Sequence, residues 1–200
     1  MRELKFQGCR RSGNHAIIEW VADHFKSAEF HNDLPTNWNG QKRKSQYLTF
    51  GEAPYELTMY SWEDKVLVDP EVVIILRSVY NCVASRLNDM KVTRKIEVVP
   101  VIWKQHATRL LEGHKGVLYD QWLNYQREAH QVLNLPGECQ PVKDRKARRG
   151  NGSSFPGSKK YTERWKDVEI PEFILEDEEL SDLNMEIFGW SLNKNGELRS

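Results

Sequence analysis

The chain has 200 residues, 39% hydrophobic and 29% charged, with Lys plus Arg at 29 balancing Asp plus Glu at 29. That length fits one domain, residues 1–200, with a substantial core, and zero net charge offers no global field to draw in nucleic acid or a membrane surface. Three cysteines, Cys9, Cys82 and Cys139, are odd in number and lack any C-x-x-C spacing, which argues against a disulfide framework or a structural zinc site and for a reducing compartment.

The charge balance is uneven along the chain. Residues 143–166 are rich in Lys and Arg, and residues 167–186 are strongly acidic; taken alone, the two stretches are solvated faces that neutralise each other. The first residues enter a strand directly, with no apolar leader, and no apolar run approaches a membrane span. The expectation is a cytoplasmic protein.

Residues 4–21 set the pattern for the rest. Leu4 and Phe6 alternate in a short strand that ends at Gly8, a polar turn follows, and from Ala16 the apolar residues Ile17, Ile18, Trp20 and Val21 fall at helical spacing. A strand, a glycine-bounded loop and a helix make the arrangement that holds phosphate, through loop N–H groups and a helix N-terminus. Gly8 and Gly13 stand as in G-x-x-x-x-G-K-[ST], but Asn14 and His15 occupy the positions of the lysine and of the hydroxyl that would hold Mg²⁺. Positive charge sits upstream instead, at Arg10 and Arg11. The residues suit a phosphate-bearing ligand bound without a metal, or an ordinary basic turn.

The first helix is expected to run to about Lys26. Residues 28–34 form a second strand, residues 35–45 a polar loop, and residues 55–62 a strand by alternation of Leu57, Met59 and Ser61. Residues 71–76, Glu-Val-Val-Ile-Ile-Leu, are a continuous β-branched run, which marks a central strand of a parallel sheet covered on both faces. It ends abruptly at Arg77-Ser78 and a helix follows through Val83 and Leu87. A charge at that strand end stands where open α/β sheets bind ligands. Further elements are a helix over 98–111, a short strand over 116–119, and a helix capped by Asp120 and running to Leu133. Residues 140–157 are a basic linker or ligand-covering loop, and helical stretches recur near 161–165 and 177–188. His24, His106, His114 and His130 read as ordinary residues of helices and a turn. Trp38 and Trp62 lie near the mouth expected for the site. Alternating strands and helices imply a doubly wound α/β domain.

Arg77 to Arg86, Arg-Ser-Val-Tyr-Asn-Cys-Val-Ala-Ser-Arg, places a serine eight positions after an arginine at a strand end. This resembles the sulfotransferases that use 3′-phosphoadenosine 5′-phosphosulfate (PAPS), whose second signature is an Arg and a Ser at that spacing holding the 3′-phosphate. Their first signature, a basic residue followed by Ser-Gly-Thr-Thr-Trp or a variant, is matched by Arg11-Ser12-Gly13-Asn14-His15. Arg11 replaces the family's lysine, which keeps charge but alters reach, and Asn14 and His15 replace the threonines. Leu118-Tyr-Asp-Gln-Trp-Leu123 resembles a further strand-end motif, and Arg148 to Phe155 resembles the late basic loop.

The resemblance implies a three-layer α/β/α sandwich with a central, mainly parallel sheet of P-loop NTPase-like type. It also implies transfer of a sulfuryl group from PAPS to a hydroxyl or amine, with a carbohydrate among the acceptors to consider. It places Arg10, Arg11, Ser12, Gly13, Asn14, His15, Arg77, Ser85, Arg149, Gly150, Ser153, Ser154 and Phe155 at the cofactor, with no metal. Arg11 would also be catalytic, and the acceptor's base would be His31 or Asp33, with Glu63 next. The rivals are a P-loop phosphotransferase and a relative that binds the nucleotide but has lost catalysis.

Overall fold

A computed structural model of the chain describes residues 1–38, 47–88, 96–142 and 163–200. In chain order the elements are β1 (Arg2–Gly8), α1 (Asn14–Ala22), β2 (Ala28–His31), β3 (Tyr47–Phe50), β4 (Leu57–Glu63), β5 (Val73–Leu76), α2 (Val79–Leu87) and α3 (Val98–Leu111). They continue with β6 (Gly116–Leu118), α4 (Tyr119–Trp122), α5 (Gln126–Val132), a 3₁₀ turn (Arg164–Asp167), α6 (Glu172–Leu175), α7 (Glu178–Phe188), β7 (Ser191–Leu192) and β8 (Leu198–Arg199). No helix among the described residues is long and apolar enough to cross a membrane.

The main sheet has six strands in the order β3-β2-β4-β1-β5-β6. Every neighbouring pair is parallel except β2 with β3. The run at β5 shows why both faces must be covered. Val73 and Ile75 enter one core with Phe6, Met59, Ile17, Ile18, Val21 and Leu133, whereas Ile74 and Leu76 enter a second with Val83, Val99, Trp103 and Leu180. A strand whose successive side chains meet opposite cores has no wet face. Helices α1 and α5 therefore cover one side of the sheet, and α2, α3 and α7 the other.

Strand order reverses at β1. The chain leaves β1 through α1 for β2 on one side, fills the gap with β4, and then crosses to β5 on the other side. A crevice forms outside the carboxyl ends of strands at such a point. The loops after β1, β2, β4, β5 and β6 all face it.

Several expectations need correction. Helix α1 ends at Ala22 rather than near Lys26, because His24 N–H turns to Val21 O and Phe25 N–H to Ala22 O, a tightening that closes the last turn. The helix expected from Asp120 to Leu133 is two, α4 and α5, and Asp120 does not cap it: its carboxylate is drawn across the crevice instead. The antiparallel strand β3, the short helix α6 and the β7–β8 hairpin have no counterpart in the sequence reading. Helix α7 starts one residue after its cap, with the Asp177 carboxylate accepting from Leu180 N–H at 3.0 Å.

His106 lies wholly inside, on α3, and its ring nitrogens complete no hydrogen bond of good geometry among the described residues. Burial, assisted by Arg109, pushes its pKa down to about 4 from 6.5. The unfolded chain would take up that proton near 6.5 and the folded chain only near 4, so stability present above the higher value is lost as pH falls through the window. Denaturant unfolding at stepped pH should show a loss on the order of a few kcal/mol from this residue, and His106→Leu should flatten that part of the profile.

Candidate functional site

The loop after β1 is built on close backbone approach. A Cβ at Gly8 would stand 2.4 Å from Ile75 O, so only glycine lets β1 end against β5. Ser12 N–H closes the turn on Cys9 O at 3.0 Å, and Arg11 and Gly13 take left-handed φ angles of 74° and 88°. The ring of Tyr119 occupies the place where a Gly13 side chain would go, 2.0 Å from an ideal Cβ.

The backbone of one loop residue, Arg10, is clamped at both its N–H and its carbonyl. Arg10 N–H donates to Asp64 Oδ1 at 2.8 Å. Its carbonyl accepts from Arg86 Nε at 3.3 Å and from Cys82 Sγ at 3.5 Å. Arg86 Nη2 also bonds Asp64, and Asp64 N–H donates to Gly8 O at 3.0 Å. The guanidinium is fully buried.

The loop keeps donors without acceptors among the described residues. The N–H groups of Gly13 and Asn14 have no protein acceptor among the described residues, and Gly13 supplies no side-chain cap. The hydroxyls of Ser12 and Ser78 are fully buried and complete no hydrogen bond among those residues. Asn14 turns its amide toward Glu63 without closing a bond of full geometry. Buried polar groups of this kind are rare in a finished fold, and their clustering at a helix N-terminus has the chemistry that suits an anion. His15 flanks the same turn, its ring edge-on to Phe30 at 6.0 Å.

Across the crevice Arg77, at the end of β5, is 1% exposed. Its Nε donates to Asp120 Oδ1 at 3.1 Å, its Nη1 reaches Arg11 O at 3.5 Å, and its guanidinium lies over the Tyr119 ring at 5.2 Å. The other Asp120 oxygen accepts from Ser78 N–H and Asn81 Nδ2, both at 3.0 Å. Burial pushes the Asp120 pKa up, against Arg77 and these donors. Ser85 is also buried, and its hydroxyl accepts from Arg164 Nη1 at 3.4 Å. Asn81 joins the two groups, since its Oδ1 accepts from Trp165 N–H at 3.4 Å.

The three candidate bases differ in setting. Asp33 pairs with Arg10 at 2.5 Å and with Lys65 at 2.7 Å. Glu63, 8% exposed, lies 3.1 Å from Arg10 Nε in an ion pair that is not an aligned hydrogen bond. Its pKa is raised, first by burial and then by Asp33 and Asp64, with Arg10 opposing. His31 stacks on Tyr60 with ring centroids 5.3 Å apart, and its Nε2 is 3.6 Å from Glu29 Oε1. Trp38 and Trp62 close around the same aromatic group, with Trp62 Nε1 donating to Pro35 O at 3.2 Å.

The structure thus gathers Arg10, Arg11, Ser12, Gly13, Asn14, Asp33, Glu63 and Arg77 around one crevice. It sets His31 among aromatic rings, and Ser85 beside Arg164. Arg149, Gly150, Ser153, Ser154 and Phe155 lie outside the described residues. Sequence reading missed Asp64, Lys65, Tyr119 and Asn81, and it passed over Arg86 and Arg164. Arg86 directly follows Ser85 and Asp64 directly follows Glu63, so each stood one position from a residue singled out. Compared with known proteins, the chain matches no family model and no curated protein sequence.

Arg86→Met should leave Asp64 half-paired beside the Arg10 peptide and cost about 3 kcal/mol in denaturant unfolding, the usual loss when one partner of a buried pair is removed. An unchanged midpoint would show that the clamp carries no stability.

Proposed function

We propose that the chain is a PAPS-dependent sulfotransferase of P-loop-like fold. The observation that carries the reading is the loop after β1, where the N–H groups of Gly13 and Asn14 lack protein acceptors among the described residues and the buried hydroxyls of Ser12 and Ser78 complete no hydrogen bond there, beside Arg77, which reaches Arg11 O. Its chemistry fits an anion of the phosphate or phosphosulfate type, and the Asn14 and His15 positions lack the lysine and hydroxyl of a Mg²⁺-triphosphate loop. Bound PAPS would bring the activated sulfuryl group to this loop. Arg10 to His15 would hold its 5′ end, and Arg77, Ser85 and Arg164 would hold its 3′-phosphate, with Arg77 shared between that phosphate and Asp120.

Glu63 is the best-placed base. It is buried beside the loop, its pKa is raised by that burial, and Arg10 keeps it in place without a rigid bond. A carboxylate of raised pKa is a better acceptor for the proton of an incoming hydroxyl or amine. Asp33, already shared by Arg10 and Lys65, serves to fix Arg10. A nucleotide-binding relative without catalysis is the second reading, favoured by Arg11 in the place of lysine.

Calorimetry without metal should give adenosine 3′,5′-bisphosphate much tighter binding than ADP, because only the former has a 3′-phosphate. Equal affinities, or binding of ATP that needs Mg²⁺, would sink the reading. With the acceptor in hand, Arg11→Ala should lower turnover by roughly a hundredfold, the loss typical of one donor aimed at developing charge, while bisphosphate affinity changes far less. Glu63→Gln should separate the same way, with turnover lost and binding kept. A binder that turns over no acceptor in either form would favour the second reading.

A further inference from the structure

Residues 138–142 run back from α5 across the carboxyl end of α1, where Cys139 and Val142 pack against the core that holds Phe6 and Trp20. This strap is held there by the backbone of one residue, Gln140. Trp20 Nε1 donates to Gln140 O at 2.7 Å, and Gln140 N–H donates to His24 Nε2 at 3.1 Å. The other ring nitrogen of His24, Nδ1, lies 2.9 Å from Trp20 O. Nothing in the proposed chemistry uses His24.

Its partners settle where the ring hydrogen is. Trp20 O can only accept, so Nδ1 carries the hydrogen; Gln140 N–H can only donate, so Nε2 keeps its lone pair. His24 is thus a neutral imidazole with both nitrogens engaged. A second proton has only Nε2 to occupy, and there it would point at the Gln140 N–H. The Nδ1 bond would survive, since a cation at a helix carboxyl end is favoured.

We propose that His24 is a proton-operated latch: its neutral ring holds residues 138–142 against α1, and protonation at Nε2 releases them while the ring stays on the helix.

The surroundings of the ring act in the same direction. It stands edge-on to Trp20 at 4.9 Å and tilted to His130 of α5 at 5.1 Å. Burial holds the His24 pKa below the ordinary 6.5, with His130 acting the same way and the Trp20 and Val21 carbonyls and Asp23 opposing. Among the described residues, Asp23 and His130 are the titratable groups that face the ring, and Glu138 and Cys139 belong to the strap itself. Once the strap leaves, the ring regains water and its pKa returns toward 6.5. Docking is therefore complete above about pH 6.5 and weakens as pH falls, by up to about tenfold per pH unit until the docked ring itself titrates.

The test is an NMR titration of the full chain. It reads neither nucleotide nor turnover, so its failure is separable from that of the sulfotransferase reading. At about pH 7.5 the His24 ring nitrogen shifts should show a protonated Nδ1 and a bare Nε2. Between about pH 7.5 and about pH 5.5, with intrinsic exchange chemistry divided out, hydrogen-exchange protection of the Gln140 amide and the Trp20 indole should fall together by about three- to tenfold. Amides within α1 should keep theirs. His24→Gln, which offers an acceptor that does not titrate, should make both independent of pH. His130→Gln should keep the loss and move its midpoint up in pH, because a like charge has gone. The proposal is overturned if the neutral ring carries its hydrogen at Nε2, or if Gln140 protection does not change with pH. It is equally overturned if the Trp20 indole stays protected when Gln140 opens, or if α1 opens with the strap. A pH response that survives His24→Gln, or that vanishes with His130→Gln, overturns it as well.

Discussion

Asp64 accepts from Arg10 N–H and from the buried guanidinium of Arg86, whose Nε reaches round to the Arg10 carbonyl. These contacts fix the loop together with the Ser12 N–H bond to Cys9 O and the Arg77 contact to Arg11 O. Arg11 and Gly13 are both left-handed, so the backbone between β1 and α1 depends on outside partners to keep its shape. The partners come from the ends of β4 and α2, on opposite sides of β1. The sheet order that interposes β1 between β4 and β5 is what allows the backbone of one residue, Arg10, to be gripped from both directions.

Electrostatics in the crevice follow the same plan of prior pairing. Arg10 is set against Asp33 and Glu63, and Arg77 against Asp120. Each cation is thereby held in one orientation by its carboxylate, which is the preorganisation the proposed anion site calls for. The carboxylates are not equal in this. Glu63 and Asp120 are buried deeply enough that their pKa values rise despite a neighbouring arginine; Asp33 is partly exposed and pairs with both Arg10 and Lys65.

Much of the frame was legible in the chain itself. The run at 71–76 announced a strand covered on both faces because β-branched residues left no polar phase, and α2 and α3 declared themselves through apolar spacing and the break at Arg77-Ser78. The basic turn at Arg10 and Arg11 stood out by its departure from a triphosphate loop. What stayed hidden depends on strand order rather than on local pattern. Arg86 and Asp64 meet only because α2 passes over the ends of β1 and β4, and nothing local distinguishes Arg86 from a solvated helix arginine. Asp120 looked like a helix cap because its position before an apolar helical phase fits one. Its true partners, Arg77, Ser78 and Asn81, lie about forty residues earlier in the chain.

Strand β6 is only three residues long, yet the two residues after it serve different neighbours: the Tyr119 ring covers Gly13, and the Asp120 carboxylate holds Arg77 and Ser78. Arg77 ties the two together, its guanidinium bonding Asp120 and lying over the Tyr119 ring. The spacing from the last rung of β6 to these residues is therefore set to the residue. One insertion at that point would exchange ring for carboxylate and disengage both loops together. The turn just before β6 makes no contact with either crevice loop among the described residues, and a side chain at Gly113 would meet nothing within 4 Å, although its φ of 93° favours glycine there. Drift in length across a lineage should then collect on the amino side of this short strand and stop at its carboxyl end.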